Sequence, residues 1–263
     1  MRLTLLYVLL SLTVAVPALA AGCPTPRNMG FHVERQVPRD AIGFTEGLEV
    51  HDGSLYESTG DYFGDSRINR IDLKTGKVTT LLNAGKDYFG EGLTFFGNRV
   101  YQMTWREHQV FVFDRDMRRL ETLTNPREGW GLTHDTTRLI ASDGSDRLFF
   151  IAPSDFHTIG SVLVRRENNS VSNLNELEYV RGSIYANVYE TWQIVRISPR
   201  TGCVEAQANL ENLRNQMSEA DRHRVDFDEN FVLNGIAYDP AGARFILTGK
   251  YWPMLFVGSF EED

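Results

Sequence analysis

The chain is poor in the residues that usually announce a chemistry. It holds only two cysteines and six histidines in 263 residues. Cys23 and Cys203 have no CxxC partner and no neighbouring His, and the histidines show neither HxH nor HExxH spacing, so no zinc site is expected. No Ser or Cys stands in a nucleophile-elbow signature. Basic charge is sparse too: the formal net charge is −8, and Arg106, Arg115, Arg118 and Arg119 are scattered among acids. Without a dense Lys/Arg stripe, nucleic acid and anionic membrane are excluded as partners. There is no Pro/Ser-rich linker and no low-complexity tract. Beyond the N-terminal stretch, no apolar run is long enough to form a transmembrane segment.

The first residues read as a processing signal. Met1-Arg2 is a short basic start, Leu3 to Val16 is apolar, and Ala18-Leu19-Ala20 is a small-x-small cleavage site. This predicts a cleaved secretory signal over 1–20 and an exported chain, periplasmic or secreted. Lipid anchoring through Cys23 is the minor alternative, because Ala20 stands where a larger aliphatic residue is usual. In an oxidising compartment an even pair of cysteines predicts a Cys23–Cys203 disulfide, with a free half-buried thiol as the other reading. Residues 21–263 are expected to form one domain, and a monomer. Asn168-Asn169-Ser170 is a glycosylation sequon, meaningful only in a eukaryotic host.

What is present is a repeat. Phe44-Thr45-Glu46-Gly47-Leu48, Phe89-Gly90-Glu91-Gly92-Leu93, Gly129-Trp130-Gly131-Leu132, Leu174-Asn175-Glu176-Leu177 and Leu233-Asn234-Gly235-Ile236 share one punctuation. They recur every roughly 40 to 60 residues with strand-like runs between, the mark of a radial or stacked architecture. Two positions before each anchoring Leu or Ile stand Glu46, Glu91, Trp130, Asn175 and Asn234. A hydrophobic core would not ask for that series.

Each unit continues in the same order. The second strands are Ser54–Ser58, Arg99–Met103, Arg138–Ala141, Ser183–Val188 and Arg244–Thr248. The third are Arg67–Asp72, Gln109–Asp114, Arg147–Ala152, Gln193–Ser198 and Met254–Ser259. The fourth, after turns such as Lys74-Thr75-Gly76-Lys77, are Val78–Leu82, Leu120–Thr124, Ile159–Val164 and Val204–Ala208. Turn residues at these intervals predict four-stranded antiparallel sheets. The last unit lacks a fourth strand, and Phe31–Val37 at the other end of the chain can supply it and hide an edge. The expected fold is an all-β, five-bladed β-propeller closed by that N-terminal strand. A β-sandwich gives no reason for similar units and a donated strand. Apolar Leu210, Leu213 and Met217 on one helical face predict a helix and loop over Leu210–Arg224. Asp226–Asn230 lacks the Gly and terminal Glu of a calcium loop and reads as a solvated acidic turn.

In a propeller, ligands usually sit at one mouth of the central channel. The starts of the inner strands bring Phe44, Glu46, Phe89, Glu91, Trp130 and Asn175 there, and the ends of the second strands bring Trp105, Tyr189 and Lys250. This aromatic cup, with two carboxylates, one amide and one ammonium, suits a small polar group on an extended chain. Taken singly, the tryptophans read equally as packing, Glu91 as a turn acid and Lys250 as surface charge. A lone carboxylate acting as proton shuttle is the simplest catalytic device available.

At these residues the chain resembles the plant- and bacterial-type glutaminyl cyclases, the propeller family of glutaminyl-peptide cyclotransferases. The resemblance runs from about Phe44 to Val257. Its densest parts are Phe89-Gly90-Glu91-Gly92-Leu93-Thr94, Tyr101-Gln102 through Trp105, Gly129-Trp130-Gly131-Leu132, Leu174-Asn175-Glu176-Leu177-Glu178-Tyr179, Leu233-Asn234-Gly235-Ile236-Ala237, and Thr248-Gly249-Lys250 through Trp252-Pro253. It implies conversion of an N-terminal glutaminyl residue of a peptide or protein to pyroglutamate with release of ammonia. By resemblance Glu91 is the catalytic acid, worth about 10²–10⁴-fold. Lys250, Asn175, Trp105 and Trp130 fall on active-site positions, while Phe44 and Phe89 wall the pocket. Glu46 stands where plant relatives carry Gln, and Tyr189 where they carry Trp; either departure would alter affinity or pH optimum. No cofactor is needed for this chemistry, and a structural Ca²⁺ in the channel is an expectation without motif support. The rival readings are a metal-dependent propeller lactonase or esterase using Glu46, Glu91, Asn175 and Asn234 as ligands, and a non-catalytic peptide-binding propeller.

Overall fold

A computed structural model describes residues 22–40, 43–61, 66–86 and 88–262 of the chain. The expected signal at 1–20 lies outside them. The fold is all-β. After β1 (Arg27–Pro38) come four-stranded antiparallel sheets, each built in chain order. The first is β2 (Phe44–His51), β3 (Ser54–Gly60), β4 (Arg67–Ile71) and β5 (Val78–Asn83). The second is β6 (Gly90–Phe96), β7 (Arg99–Thr104), β8 (Gln109–Phe113) and β9 (Arg119–Thr124). The third is β10 (Leu132–His134), β11 (Leu139–Ala141), β12 (Arg147–Ile151) and β13 (Thr158–Leu163). A hairpin, β14 (Arg165–Arg166) and β15 (Asn169–Ser170), precedes β16 (Leu174–Val180), β17 (Ser183–Val188), β18 (Gln193–Ile197) and β19 (Val204–Asn209). The chain ends in β20 (Leu233–Asp239), β21 (Arg244–Gly249) and β22 (Met254–Glu262).

The expected donated strand is present and longer than its apolar alternation suggested. β1 runs antiparallel to β22 from Met29↔Glu262 to Pro38↔Met254, and its first residues pair in parallel with β19 at Arg27↔Ala206. Those extra residues are mostly exposed, so no hydrophobic pattern marked them. The helical segment also differs from the continuous expectation. Glu211–Gln216 is a 3-10 helix, the chain breaks at Met217, and α1 (Glu219–Phe227) restarts behind Ser218, whose hydroxyl accepts from Asp221 N–H. Leu210, Leu213 and Met217 are buried as the pattern required, but α1 buries no side chain.

The opening strands β2, β6, β10, β16 and β20 are buried almost end to end, because neighbouring sheets cover both of their faces. Strands further out alternate, as β19 does. β2 packs on β6, β6 on β10, β10 on β16, β16 on β20, and β20 on β2. The approach is close enough to leave no room for side chains at the recurring glycines. A Cβ on Gly92 would fall 2.4 Å from Leu132 N, and one on Gly131 would fall 2.0 Å from Asn175 O. Just there the pairing with the second strand slips, between Thr45 and Gly47, Gly90 and Leu93, Leu174 and Leu177, and Leu233 and Ile236. Such irregularities bend a strand and re-aim its side chains.

Where glycine is replaced, the replacement is used. Glu176 accepts from Leu48 N–H (3.1 Å) and Ile236 N–H (2.7 Å), tying β16 to β2 and β20. Glu178 accepts from Tyr238 N–H at 2.9 Å, and Glu49 from Thr94 Oγ1 at 2.6 Å and from Phe95 N–H. Burial pushes the Glu49 carboxyl up to about 8. It also raises Glu176 and Glu178 well above the ordinary 4.5, with further repulsion from neighbouring carboxylates. The folded chain therefore holds more protons than the unfolded one above pH 4.5, and stability falls as pH rises through that window. Tm should be higher at pH 5.5 than at pH 8.5, with a shallower slope in Glu49→Gln; a Tm that climbs over that interval would contradict the assignment.

The N-terminal tail is pinned by a Cys23–Cys203 disulfide spanning 180 residues of sequence. The β14–β15 hairpin, for which no apolar pattern exists, receives the same tail: Cys23 N–H donates to Glu167 O. Replacing both cysteines by serine should cost about 2–4 kcal/mol and lower Tm by roughly 5–15 °C, read by thermal unfolding with and without reductant.

Candidate active site

The nine side chains expected at one mouth line a single cavity of about 70 Å³: Phe44, Glu46, Phe89, Glu91, Trp105, Trp130, Asn175, Tyr189 and Lys250. Glu46, Glu91 and Asn175 enter from the irregular starts of β2, β6 and β16. Trp130 precedes β10. Trp105, Tyr189 and Lys250 follow the ends of β7, β17 and β21. The strand periodicity thus delivers residues far apart in sequence to one end of the inner strands.

The floor is an ion pair. Lys250 Nζ lies 2.7 Å from Glu46 Oε1, and Asn234 Nδ2 reaches Glu46 Oε2 at 3.4 Å. The ammonium also sits 4.2 Å from the Phe44 ring centre and 4.7 Å from that of Tyr189. Burial pushes Glu46 up to about 7, offset in part by the charge and hydrogen bond of Lys250. The pair is braced from behind. Arg39, just past β1, meets Glu57 at 2.5 Å in a fully buried ion pair and donates to Trp252 O; Thr45 Oγ1 joins Glu57 at 2.6 Å. The chain on both sides of the floor is thereby locked.

Glu91 is held differently. Its carboxyl is buried, yet no described group hydrogen-bonds it. Burial raises it well above the usual range, the Glu46 carboxylate raises it further, Lys250 partly offsets this, and Glu107 and Glu128 add to the rise. The rise favours the protonated acid, which faces an open cavity. Two more polar atoms there are buried without a partner, Trp130 Nε1 and Asn175 Oδ1. One unmet donor and one unmet acceptor beside an uncommitted carboxyl describe a site awaiting a polar ligand.

The walls are aromatic. Phe44 meets Phe89 edge-on at 5.9 Å, Phe89 meets Trp105 at 5.7 Å, and Trp130 meets Tyr189 edge-on at 5.5 Å. Trp105 Nε1 donates to Glu128 Oε2. Burial, then Glu46, Glu190, Glu91 and Glu229, push the Tyr189 hydroxyl up to about 12, so it stays a donor. Glu128, Glu107 and Tyr251 were not singled out from the sequence. Only adjacency to Trp130, Trp105 and Lys250 pointed to them.

Among the described residues no three His, Cys, Asp or Glu side chains converge to hold a metal, and the buried carboxyls of Glu49, Glu176 and Glu178 accept from peptide N–H groups. In the lactonase reading Glu46 would be a ligand, but its carboxylate already faces an ammonium.

An all-β, propeller-like frame with one aromatic cup at the ends of its inner strands, floored by buried acid and ammonium, defines a small class of proteins. The chain belongs to the glutamine cyclotransferase family, whose model matches residues 5–260. It is 36% identical over 229 residues to a glutaminyl-peptide cyclotransferase of Arabidopsis thaliana, covering 86% of this chain and 70% of that one. Its structure is similar to the crystal structure of Myxococcus xanthus glutaminyl cyclase, with a TM-score of 0.78 and 32% identity over 90% of this chain and 99% of the other.

Lys250→Met would leave the Glu46 carboxyl buried without its cation, and should cost about 3 kcal/mol of stability. Adding Glu46→Leu should restore most of that loss, because the unpaired group goes with it. Denaturant unfolding of the two variants measures both steps.

Proposed function

We propose that this chain is a glutaminyl-peptide cyclotransferase that uses Glu91 as its proton shuttle. The observation carrying this reading is the buried, raised, uncommitted carboxyl of Glu91 beside the unmet Trp130 Nε1 and Asn175 Oδ1. The reaction closes the N-terminal glutaminyl residue of a peptide on itself: the α-nitrogen bonds to the γ-carbonyl carbon, and the carboxamide C–N bond breaks. The attacking nitrogen loses one proton and the departing nitrogen gains one, so a single carboxyl can serve both. An α-ammonium has an ordinary pKa of about 8. Raising Glu91 from the ordinary carboxylate range moves it towards that value, which brings proton exchange between the two closer to balance, as a shuttle requires.

The other groups follow from their chemistry. Lys250 and Trp130 Nε1 are donors suited to the oxygen that gains charge as the tetrahedral centre forms. Asn175 Oδ1 accepts an N–H of the reacting amine or amide. Glu46 holds Lys250 in place and adds negative charge that favours an entering ammonium. Phe44, Phe89, Trp105 and Tyr189 keep the glutaminyl side chain folded towards its own amine, an orientation effect that rivals the proton transfer.

The frame is read as a five-bladed propeller closed by β1 in the last blade. The cyclic packing of the inner strands and the β1–β22 pairing support this. The protein acts outside the cytoplasm in this reading. The disulfide supports export, and no helix of the described residues is long and apolar enough to cross a membrane.

Ammonia release from a Gln-initiated dipeptide tests the proposal. Turnover should survive a chelator and fall about 10²–10⁴-fold in Glu91→Gln, with Tm unchanged or raised because a buried acid is replaced by its neutral isostere. Binding without turnover in the wild type would favour a peptide-binding module. Loss of turnover in chelator would favour the metal-dependent hydrolase.

A further inference from the structure

The aromatic wall does not stop at the cavity. The ring of Phe44 packs on Tyr251 at 5.1 Å, and Tyr251 packs on Phe231 at 5.5 Å. Phe89, Phe44, Tyr251 and Phe231 thus form a row from the buried interior to the surface, and its last two members are half-buried. Phe231 belongs to the segment that leads from α1 into β20, where the regular spacing of the repeats is stretched. That segment is docked on the cup by Lys250 N–H donating to Val232 O and Trp252 Nε1 donating to Phe231 O, while Tyr251 N–H donates to Gly43 O. Its helix leaves Phe227 78% exposed.

We propose that Tyr251 and Phe231 form the subsite for the side chain of the residue that follows the N-terminal glutamine, and that this subsite selects an apolar or aromatic side chain. The inference rests on the cyclotransferase reading. A cavity of about 70 Å³ encloses one side chain, so the next residue of the substrate must lie across the rim. On the rim at Trp105 the space is taken. The Arg106 guanidinium stacks 3.8 Å from that ring centre, and both side chains bind Glu128. On the insertion side the row ends in half-exposed rings continuous with Phe44, a pocket wall. The Arg224 guanidinium lies over the Phe231 ring at 5.9 Å from its centre, a looser contact than that of Arg106 on Trp105. Glu190 and Glu229 act on the Tyr189 hydroxyl of the neighbouring wall.

The test compares kcat/KM for Gln-Phe and Gln-Gly, by ammonia release, in the wild type, Phe231→Ala and Tyr251→Asn. Phe231→Ala keeps the backbone carbonyl that accepts from Trp252. Tyr251 has φ +58°, a conformation Asn tolerates, so Tyr251→Asn removes the ring without straining the turn. The wild type should prefer Gln-Phe, and each variant should reduce the ratio about threefold to tenfold. Leu120→Ala, an exposed residue on β9, should not move it. A ratio unchanged in both variants, with turnover intact, overturns the subsite alone. Equal losses on both dipeptides also overturn it, because the rings then only brace Phe44. No ammonia from either dipeptide in the wild type removes the cyclotransferase reading and the subsite with it.

Discussion

The inner strands meet through bare backbone, and the rest of the molecule is arranged around that contact. Where Gly92 faces Leu132 and Gly131 faces Asn175, any side chain would force neighbouring sheets apart. Strands that approach so closely cannot keep regular pairing with their own second strands, and the register slips at equivalent points of β2, β6, β16 and β20. A slipped residue has lost its place in the alternation of faces. Its side chain is free to turn towards the end of the channel, where it cannot be buried apolar. Glu46, Glu91, Asn175 and Asn234 all occupy such points. Tight packing and the polar residues of the cup thus share one cause.

Burial acts on carboxyl groups in two ways within a short distance. Glu49, Glu176 and Glu178 are surrounded by peptide N–H and hydroxyl donors, and serve as cross-links between strands that have no side chains to interlock. Glu46 has a cation. Glu91 has neither, and its proton is correspondingly hard to remove without a visitor. The same desolvation yields struts between the inner strands and an unpaired acid in the cup; what differs is whether the protein supplies a hydrogen-bond partner.

Much of this was legible in the sequence because it is carried by local signals. The Phe-x-Glu-Gly-Leu punctuation, the turn residues and the β-branched runs place most second, third and fourth strands to within a residue or two, and Ser183–Val188 coincides with β17. By contrast, β22 runs on to Glu262 beyond the expected Ser259, and β1 begins at Arg27 before the expected Phe31. Once strand ends are placed, membership of the cup follows by register alone. What escaped has its partner far away or no pattern at all. The hydrogen bond from Leu48 to Glu176 spans 128 residues of sequence. The β14–β15 hairpin has no apolar residue to mark it. The division of the helical segment depends on Ser218 finding Asp221 N–H, a competition that spacing of Leu210, Leu213 and Met217 cannot reveal. Tyr251 and Phe231 read as ordinary aromatics until the fold sets their rings beside Phe44.

The donated strand imposes an order on biosynthesis. β1 leaves the ribosome well before β22, and Met29 must wait for its partner Glu262. Until then only the first residues of β1 have an edge to join, at β19, and the edge of β22 does not yet exist. Contacts of this span are the slowest to form, and chains that wait for them expose sticky edges meanwhile. The nascent polypeptide therefore cannot mature from front to back. β1 and β22 are sealed together in a single late event, and loss of β22 leaves all but the first residues of β1 without a sheet partner.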